Sequence, residues 1–327
     1  MSIIRKLAVL LFLMMLVVAS VGYYALSPVT PDPLPMEFTL NQGSSLTAAA
    51  RQFEQKGLLK SPGAFVMFAR LLGRAGQLKA GVYRLDHPLS KLELLEMITQ
   101  GSVSKTQVTV IEGWNLRQLR AALDAMPNLR HDSTALAEAE LLQRIGASET
   151  HLEGLFYPDT YFVDAGSSDL ELLKRAYQTM QQRLQQAWQT RDAGLPLESP
   201  YQALILASIV EKETGIPADR PMIAGVFIHR LRLHMMLQTD PAVIYGLGDK
   251  FDGNLRRRDL ANDTPYNTYT RVGLPPTPIA LPGSDALNAV LHPAKTDALY
   301  FVARGDGSSH FSATLDEHNR AVKKYQK

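Results

Sequence analysis

Two glutamates stand two residues apart at the end of an apolar run, Glu211 and Glu213 in "ASIVEKETG", residues 207–215. A carboxyl group pressed against aliphatic side chains loses hydration in its charged form. Its pKa then rises toward the range a general acid needs near neutral pH. The carbonyl-rich end of a helix pushes the same way, because it disfavours a further negative charge. Ser199 suits an N-cap, Pro200 the first helical position and Gly215 the C-terminal cap, with Pro217 beyond, so one helix from about Pro200 to Thr214 is predicted. At roughly 100° per residue, Glu213 falls on the side of Leu206, Ile209 and Val210. Glu211 points about 160° away, toward Leu204, Ala207 and Ser208. Spacing alone leaves three readings open: Glu213 as the acid, Glu211 as the acid, or both carboxylates solvated or paired with Lys212, Arg220 or Arg230.

Downstream, "ADRPMIAGVFIHRLRL" has the pattern of a second amphipathic helix. "LQTDPAVIYGLG" and "TPYNTYTRVGLPPTPIALPG" are rich in Gln, Thr, Asp, Asn, Tyr, Gly and Pro, and are predicted to be ordered loops. Within them Gln238, Asp240, Tyr245, Tyr266, Asn267 and Tyr269 suit a sugar polymer. Amides and carboxylates bond hydroxyl and acetamido groups, and tyrosine rings pack on pyranose faces. Each type serves equally as a turn residue or a core tyrosine. Asp240, before a proline, reads either as the start of a turn or as a charge that stabilises a developing oxocarbenium ion.

Other chemistries lack their motifs. The eight histidines are scattered with no HExxH pair, which argues against a catalytic zinc. No G-x-S-x-G elbow is present, and "GDGSSHFS" reads as a hairpin turn. Walker loops and dinucleotide fingerprints are missing too, so neither a metal nor an organic cofactor is expected.

The elements that must position these groups follow from the rest of the chain. Its 327 residues allow two domains, and a formal net charge of +2 is too small to point to nucleic acid. Without cysteine there are no disulfides or thiolate metal sites. Residues 7–26, "LAVLLFLMMLVVASVGYYAL", carry no formal charge and reach about 30 Å as a helix, enough to span a hydrocarbon core. Arg5 and Lys6 precede the run and the next basic residue is Arg51, which keeps the tip, residues 1–6, cytoplasmic and the body on the far side. Val18-Ala19-Ser20 offers the competing reading of a cleaved signal. The run is longer than an ordinary signal core and continues past that point, which favours an uncleaved anchor. Proline-rich residues 27–36 read as a semi-rigid spacer. Residues 37–103 read as a small module of strand, two helices, strand and helix, and residues 104–327 as a mixed α+β domain built round the buried helix.

The long stretches "VFIHRLRLHMMLQTDPAVIYGLG", "YNTYTRVGLPPTPIALPG", "HPAKTDALYFVARGDGSSHFS" and "EHNRAVKKY", with "ASIVEKETG", "EGWNLRQL" and "GLFYPDTY", resemble the MltG/YceG family of endolytic murein transglycosylases. The resemblance covers essentially the whole chain. It implies an α+β protein with a single N-terminal transmembrane helix, a LysM-like module over 37–103 and a catalytic domain over 104–327. It implies cleavage of the β-1,4 bond between N-acetylmuramic acid and N-acetylglucosamine in nascent strands, with Glu213 as the acid, which leaves Glu211 as a supporting group or the runner-up acid. Peptidoglycan strands are then the substrate, synthases of the elongation machinery the partners, and a bacterial inner membrane, with the body periplasmic, the location. A membrane-anchored binding or assembly factor without activity is the alternative.

Overall fold

The computed structural model describes residues 3–326 apart from 30–34, 42, 86, 102–104 and 165. Pro31 and Pro33 of the expected spacer, and the expected domain boundary at 103, lie outside the described residues. The chain forms two units, one of residues 1–107 with 128–130 and 162–167, the other of 108–127, 131–161 and 168–327.

The first unit runs α1 (Ile3–Leu26), β1 (Pro28–Val29), β2 (Met36–Leu40), α2 (Leu46–Gln55), α3 (Pro62–Leu71), β3 (Gly81–Leu85), β4 (Leu89–Ser90) and α4 (Lys91–Gln100). Strand β2 alternates strictly, with Phe38 and Leu40 buried and Glu37 and Thr39 exposed, as a strand with one wet face must. It pairs antiparallel with β3, setting Phe38 opposite Tyr83, and the two rings stack at 5.3 Å. Phe53 of α2 meets Phe38 edge-on at 4.9 Å and Phe65 of α3 at 6.1 Å. Helix starts fall where the sequence places them. Ser45 accepts from the Ala48 N–H, Pro62 opens α3, and Ser90 with Glu93 forms a reciprocal capping box that ends in a left-handed Gly101.

One boundary differs from expectation. Pro28 and Val29 pair with Ser90 and Leu89, and Val29 is buried. The Lys91 ammonium donates to the Ser27 hydroxyl at 2.7 Å, and the Tyr24 ring meets Phe68 edge-on at 5.6 Å. The first residues of the expected spacer are therefore part of the module, because a β-bridge and an apolar pocket are available to them. α1 has one segment, Arg5–Leu26, long and apolar enough to cross a membrane.

The remaining elements are β5 (Lys105–Thr109), α5 (Leu116–Asp124), α6 (Glu138–Ile145), β6 (Thr160–Asp164), α7 (Asp169–Gln189), α8 (Pro200–Glu213), α9 (Arg220–Arg232), α10 (Asp240–Leu247), α11 (Arg257–Ala261), α12 (Ser284–Leu291), β7 (Tyr300–Ala303), β8 (Ser309–Ser312) and α13 (Leu315–Tyr325). In the second unit α8 is the centre. Every residue from Ala203 to Val210 is buried, and the helix packs against α7, α9, α10 and α12. A helix apolar on all sides has to be enclosed in this way. Its one polar core residue, Ser208, is satisfied twice, donating to the Ile205 carbonyl at 2.7 Å and accepting from the Ile279 N–H at 2.9 Å. Ser199 caps its start through the Gln202 N–H, as predicted. Its end differs: Thr214 turns extended at φ −147°, and Gly215 supplies no left-handed cap.

Residues 240–247 form α10 rather than the predicted loop. Asp240 and Pro241 open it, the proline losing nothing in a first turn whose N–H has no partner, and Ala242 and Val243 bury against the core. By contrast, 264–283 is the ordered loop that its prolines imply, and β7 and β8 form the predicted hairpin, pairing Tyr300 with Ser312.

Gly154 and Gly146 both sit at φ +79°, but only Gly154 faces a neighbour, the Pro278 ring, while a Cβ at Gly146 meets open space. Gly146→Ala should then cost only the left-handed strain of about 1–2 kcal/mol. Gly154→Ala should cost clearly more, by about a further 1–3 kcal/mol of overpacking. Urea unfolding of the two variants side by side checks the difference.

Candidate active site

The last turn of α8 brings Glu213 to the wall of a cavity of about 520 Å³. α9 contributes Arg230, the segment before α10 contributes Leu237 and Gln238, the start of α10 contributes Asp240, and the long loop contributes Tyr269. The β7–β8 hairpin and α13 close the other side with Tyr300, Ser309, His318 and Val322 among others. Burial pushes the Glu213 carboxyl up to about 7. Asp240 adds to the rise, while the Thr239 hydroxyl and Arg230 offset part of it. Glu213 therefore holds a proton in a large share of molecules at neutral pH, which is the state a proton donor requires.

Arg230 organises this wall. It is buried, and its guanidinium donates to the Leu299 carbonyl at 2.7 Å, the Leu237 carbonyl at 2.8 Å and the Met236 carbonyl at 3.2 Å. It also lies 5.2 Å from the centre of the Tyr300 ring. The carbonyls at 236 and 237 directly precede Gln238, whose φ of +50° is strained for a residue other than glycine. The strain is held by two further bonds: the Gln238 N–H donates to the Thr268 carbonyl at 3.0 Å and the Thr239 N–H to the Thr268 hydroxyl at 2.9 Å. Asp240 then accepts from the Tyr269 hydroxyl at 2.6 Å. Burial and the Asp240 charge raise the Tyr269 pKa, so the phenol remains a donor.

Of the residues singled out in the sequence, Glu213, Gln238, Asp240 and Tyr269 share this cavity. Glu211 does not line it. Its side chain is almost fully buried in an ion pair with Arg220 at 3.0 Å, and it accepts from the Gly283 N–H at 2.9 Å. Burial raises its pKa, with the Gly283 bond and Arg220 opposing. Asn267 is spent on its own loop, donating to the Leu260 and Asn262 carbonyls and accepting from the Tyr269 N–H at 2.8 Å, so it sets Tyr269 rather than facing the cavity. Tyr245 and Tyr266 pack edge-on at 4.8 Å elsewhere in the unit. There the Tyr245 hydroxyl donates to Glu153, a buried carboxylate that also accepts the Leu116 N–H at 3.0 Å. Burial pushes Glu153 up to about 7 as well.

Sequence reading passed over Arg230 except as a salt-bridge partner, and passed over Thr239, Tyr300, His318 and Glu153. The His318 ring stacks on Tyr300 at 5.3 Å, and its Nδ1 is buried with no hydrogen bond among the described residues. Its pKa is lowered by burial and by Arg230, leaving a neutral imidazole beside the acid. "LYF" and "EHN" offered no periodicity or spacing that joins residues 300 and 318.

A raised carboxyl, a carboxylate held by a phenol, an amide and tyrosine rings share an open cavity, a set of groups able to donate a proton and to hydrogen-bond a polar ligand. Residues 38–324 match the pattern of the YceG-like family. The chain belongs to the YceG-like family. Among relatives of this YceG-like chain, a protein of Bacillus subtilis named as an endolytic murein transglycosylase is 32% identical over 93% of the chain and 89% of its own length. A Streptococcus pneumoniae protein of the same name is 29% identical over 97% of the chain, which spans 65% of that longer relative. The crystal structure of a yceG-like protein from Listeria monocytogenes superposes with a TM-score of 0.55 at 29% identity, covering 88% of this chain and 98% of that one.

The two glutamates should respond oppositely to amide substitution. The folded-state pKa of Glu213 lies above its unfolded value, so folding is penalised progressively as pH rises from about 4.5 to about 7. Glu213→Gln lifts that penalty and should be more stable than wild type at pH 8 by about 1–3 kcal/mol, yet equal to it near pH 4. Glu211→Gln strips Arg220 of its main buried partner and should lose about 3 kcal/mol at pH 7. Denaturant unfolding of the full chain in detergent at pH 4, 7 and 8 measures both.

Proposed function

We propose that this chain is a lytic transglycosylase of peptidoglycan, acting within nascent glycan strands and ending their elongation. The observation that carries the reading is Glu213, one carboxyl whose proton affinity is raised to about 7 in a cavity furnished for sugar, within a chain whose relatives are named as endolytic murein transglycosylases.

A single acid suffices for this reaction. Glu213 protonates the oxygen of the β-1,4 bond between N-acetylmuramic acid and N-acetylglucosamine. As that bond breaks, the C6 hydroxyl of the muramic acid attacks C1 within the same sugar. The carboxylate left on Glu213 takes the proton of that hydroxyl, closing a 1,6-anhydro ring and restoring the acid. No water is consumed, whereas an ordinary glycosidase generally needs a second carboxyl group to act as nucleophile or to activate water. Asp240, fixed by Tyr269, stabilises the positive charge that develops at C1, and Gln238 and Tyr269 hold the sugar. Glu211 holds α8 to the start of α12 through Arg220 and Gly283.

The first unit serves as a LysM-like glycan module. Asn41, Gly43, Ser44 and Ser45 before α2, together with Leu78–Ala80, border a second cavity of about 420 Å³. α1 is a single uncleaved span with Arg5 and Lys6 on the cytoplasmic side, which puts the body in the periplasm beside the synthases that extrude new strands.

Digestion of isolated glycan strands followed by mass spectrometry tests the reading. Wild type should yield anhydro ends, each lighter by one water than a hydrolysed end. Glu213→Gln should lose at least about 10²-fold in rate, the size of a general-acid contribution. Glu211→Gln should retain anhydro product per folded molecule. The wild-type rate should fall as pH rises through about 7, where the acid loses its proton. Folded wild type that only co-sediments with sacculi would be a binding factor instead.

A further inference from the structure

We propose that α3 is a lipid-facing helix, whose exposed apolar side chains Met67 and Leu71, with Leu72 just past its end, seat the first unit in the headgroup layer of the membrane that α1 spans. The inference rests on the reading of α1 as an uncleaved span.

In that reading the last turn of α1 lies at the membrane surface, and α3 meets it through one ring pair. Phe68 lies 5.6 Å from Tyr24, and Ala25 and Val29 are part of the unit's core. On a helix of 3.6 residues per turn, Phe68 stands at the edge of the buried face, and the next positions round are Met67 and Leu71. These two are 72% and 67% exposed, and Leu72 beyond them is 42% exposed. Such side chains on a small module are unusual unless something covers them. The Tyr24–Phe68 ring pair, between the end of the span and the edge of this stripe, names the occupant, and Tyr23 and Leu26 at that same helix end are themselves 81% and 73% exposed.

Charge agrees with lipid. Arg70 is the single charged residue of α3, no acid lies on the helix, and Lys60 precedes it. Lys91 stands 5.1 Å over the Tyr24 ring, within the electrostatic reach of Lys60. A short apolar stripe flanked by cations, beside a tyrosine at the bilayer boundary, is the composition of an interfacial helix on anionic headgroups. The covalent tie through Ser27 keeps the face at the surface, so even a narrow stripe remains in contact.

The chain has no cysteine, so single probes can be placed at will. Met67→Cys, Leu71→Cys, Glu54→Cys on the exposed side of α2, and Val17→Cys within the span would each carry a polarity-sensitive fluorophore. The full chain would then enter vesicles of phosphatidylethanolamine and phosphatidylglycerol containing lipid with a nitroxide near the headgroups or deep in the acyl chain. Probes at 67 and 71 should shift to the blue and lose intensity to the shallow nitroxide, while the probe at 54 stays water-like. Adding Leu71→Asp to the Met67→Cys chain should reverse the shift at 67. If the probe at 17 is quenched by the deep nitroxide while those at 67 and 71 remain water-like, the lipid assignment is overturned, and a protein partner or a second copy takes its place. If the probe at 17 is itself unquenched, the anchor reading fails and the proposal falls with it.

Discussion

One buried guanidinium holds the cavity together. Arg230 reaches backbone carbonyls at 236, 237 and 299, joining the segment that leads into α10 to the strand that opens the hairpin. Charged donors to neutral carbonyls are among the stronger hydrogen bonds, and here they are spent on the backbone itself. With Gln238 held left-handed, Thr239 and Asp240 follow in directions that an unstrained chain would not give them. The same cation draws Tyr300 over itself, and His318 stacks beyond. Glu213 is thus surrounded by groups whose positions are set from a single point, although none of them is its neighbour in sequence.

The two glutamates of α8 diverge because a helix turns about 200° over two residues. One side of the last turn meets the cavity, while the other meets Arg220 and the start of α12. Both carboxyl groups lose water, yet only Glu211 regains a cation and a backbone donor at bonding distance. Burial with close compensation makes a structural link, and burial with less of it leaves a carboxyl that holds its proton up to about pH 7. Glu153 is an intermediate case, buried with the Leu116 N–H and the Tyr245 hydroxyl among its donors and Arg117 opposing the rise, and its elevated proton affinity accompanies a bond to the start of α5.

Much of this could be read in advance where local chemistry decides. The cap at Ser199, the apolar run that buries α8 and the hairpin turn after residue 300 all depend on residues within a few positions of one another. What escaped depends on distant partners. β1 is a strand only because Leu89 and Ser90 receive it, and α10 is a helix because the core takes Ala242 and Val243. Of the polar residues picked for sugar, Asn267 is buried with both amide donors given to its own loop, and Tyr245 and Tyr266 are committed near Glu153. Composition records which groups are available; it does not record which have already been used.

The splice of α1 into the first unit bears on how the protein can be handled. Soluble forms of anchored proteins are commonly made by cutting in the proline-rich stretch that follows the span. Here such a cut removes the strand that covers Leu89 and leaves β4 as an open edge, and it takes away the ring against which Phe68 packs. A form beginning near residue 37 is therefore a different object from the native module, with an unpaired edge and an uncovered aromatic of its own making. Stickiness or weak glycan binding in such a preparation would report the place of the cut rather than the behaviour of the intact chain.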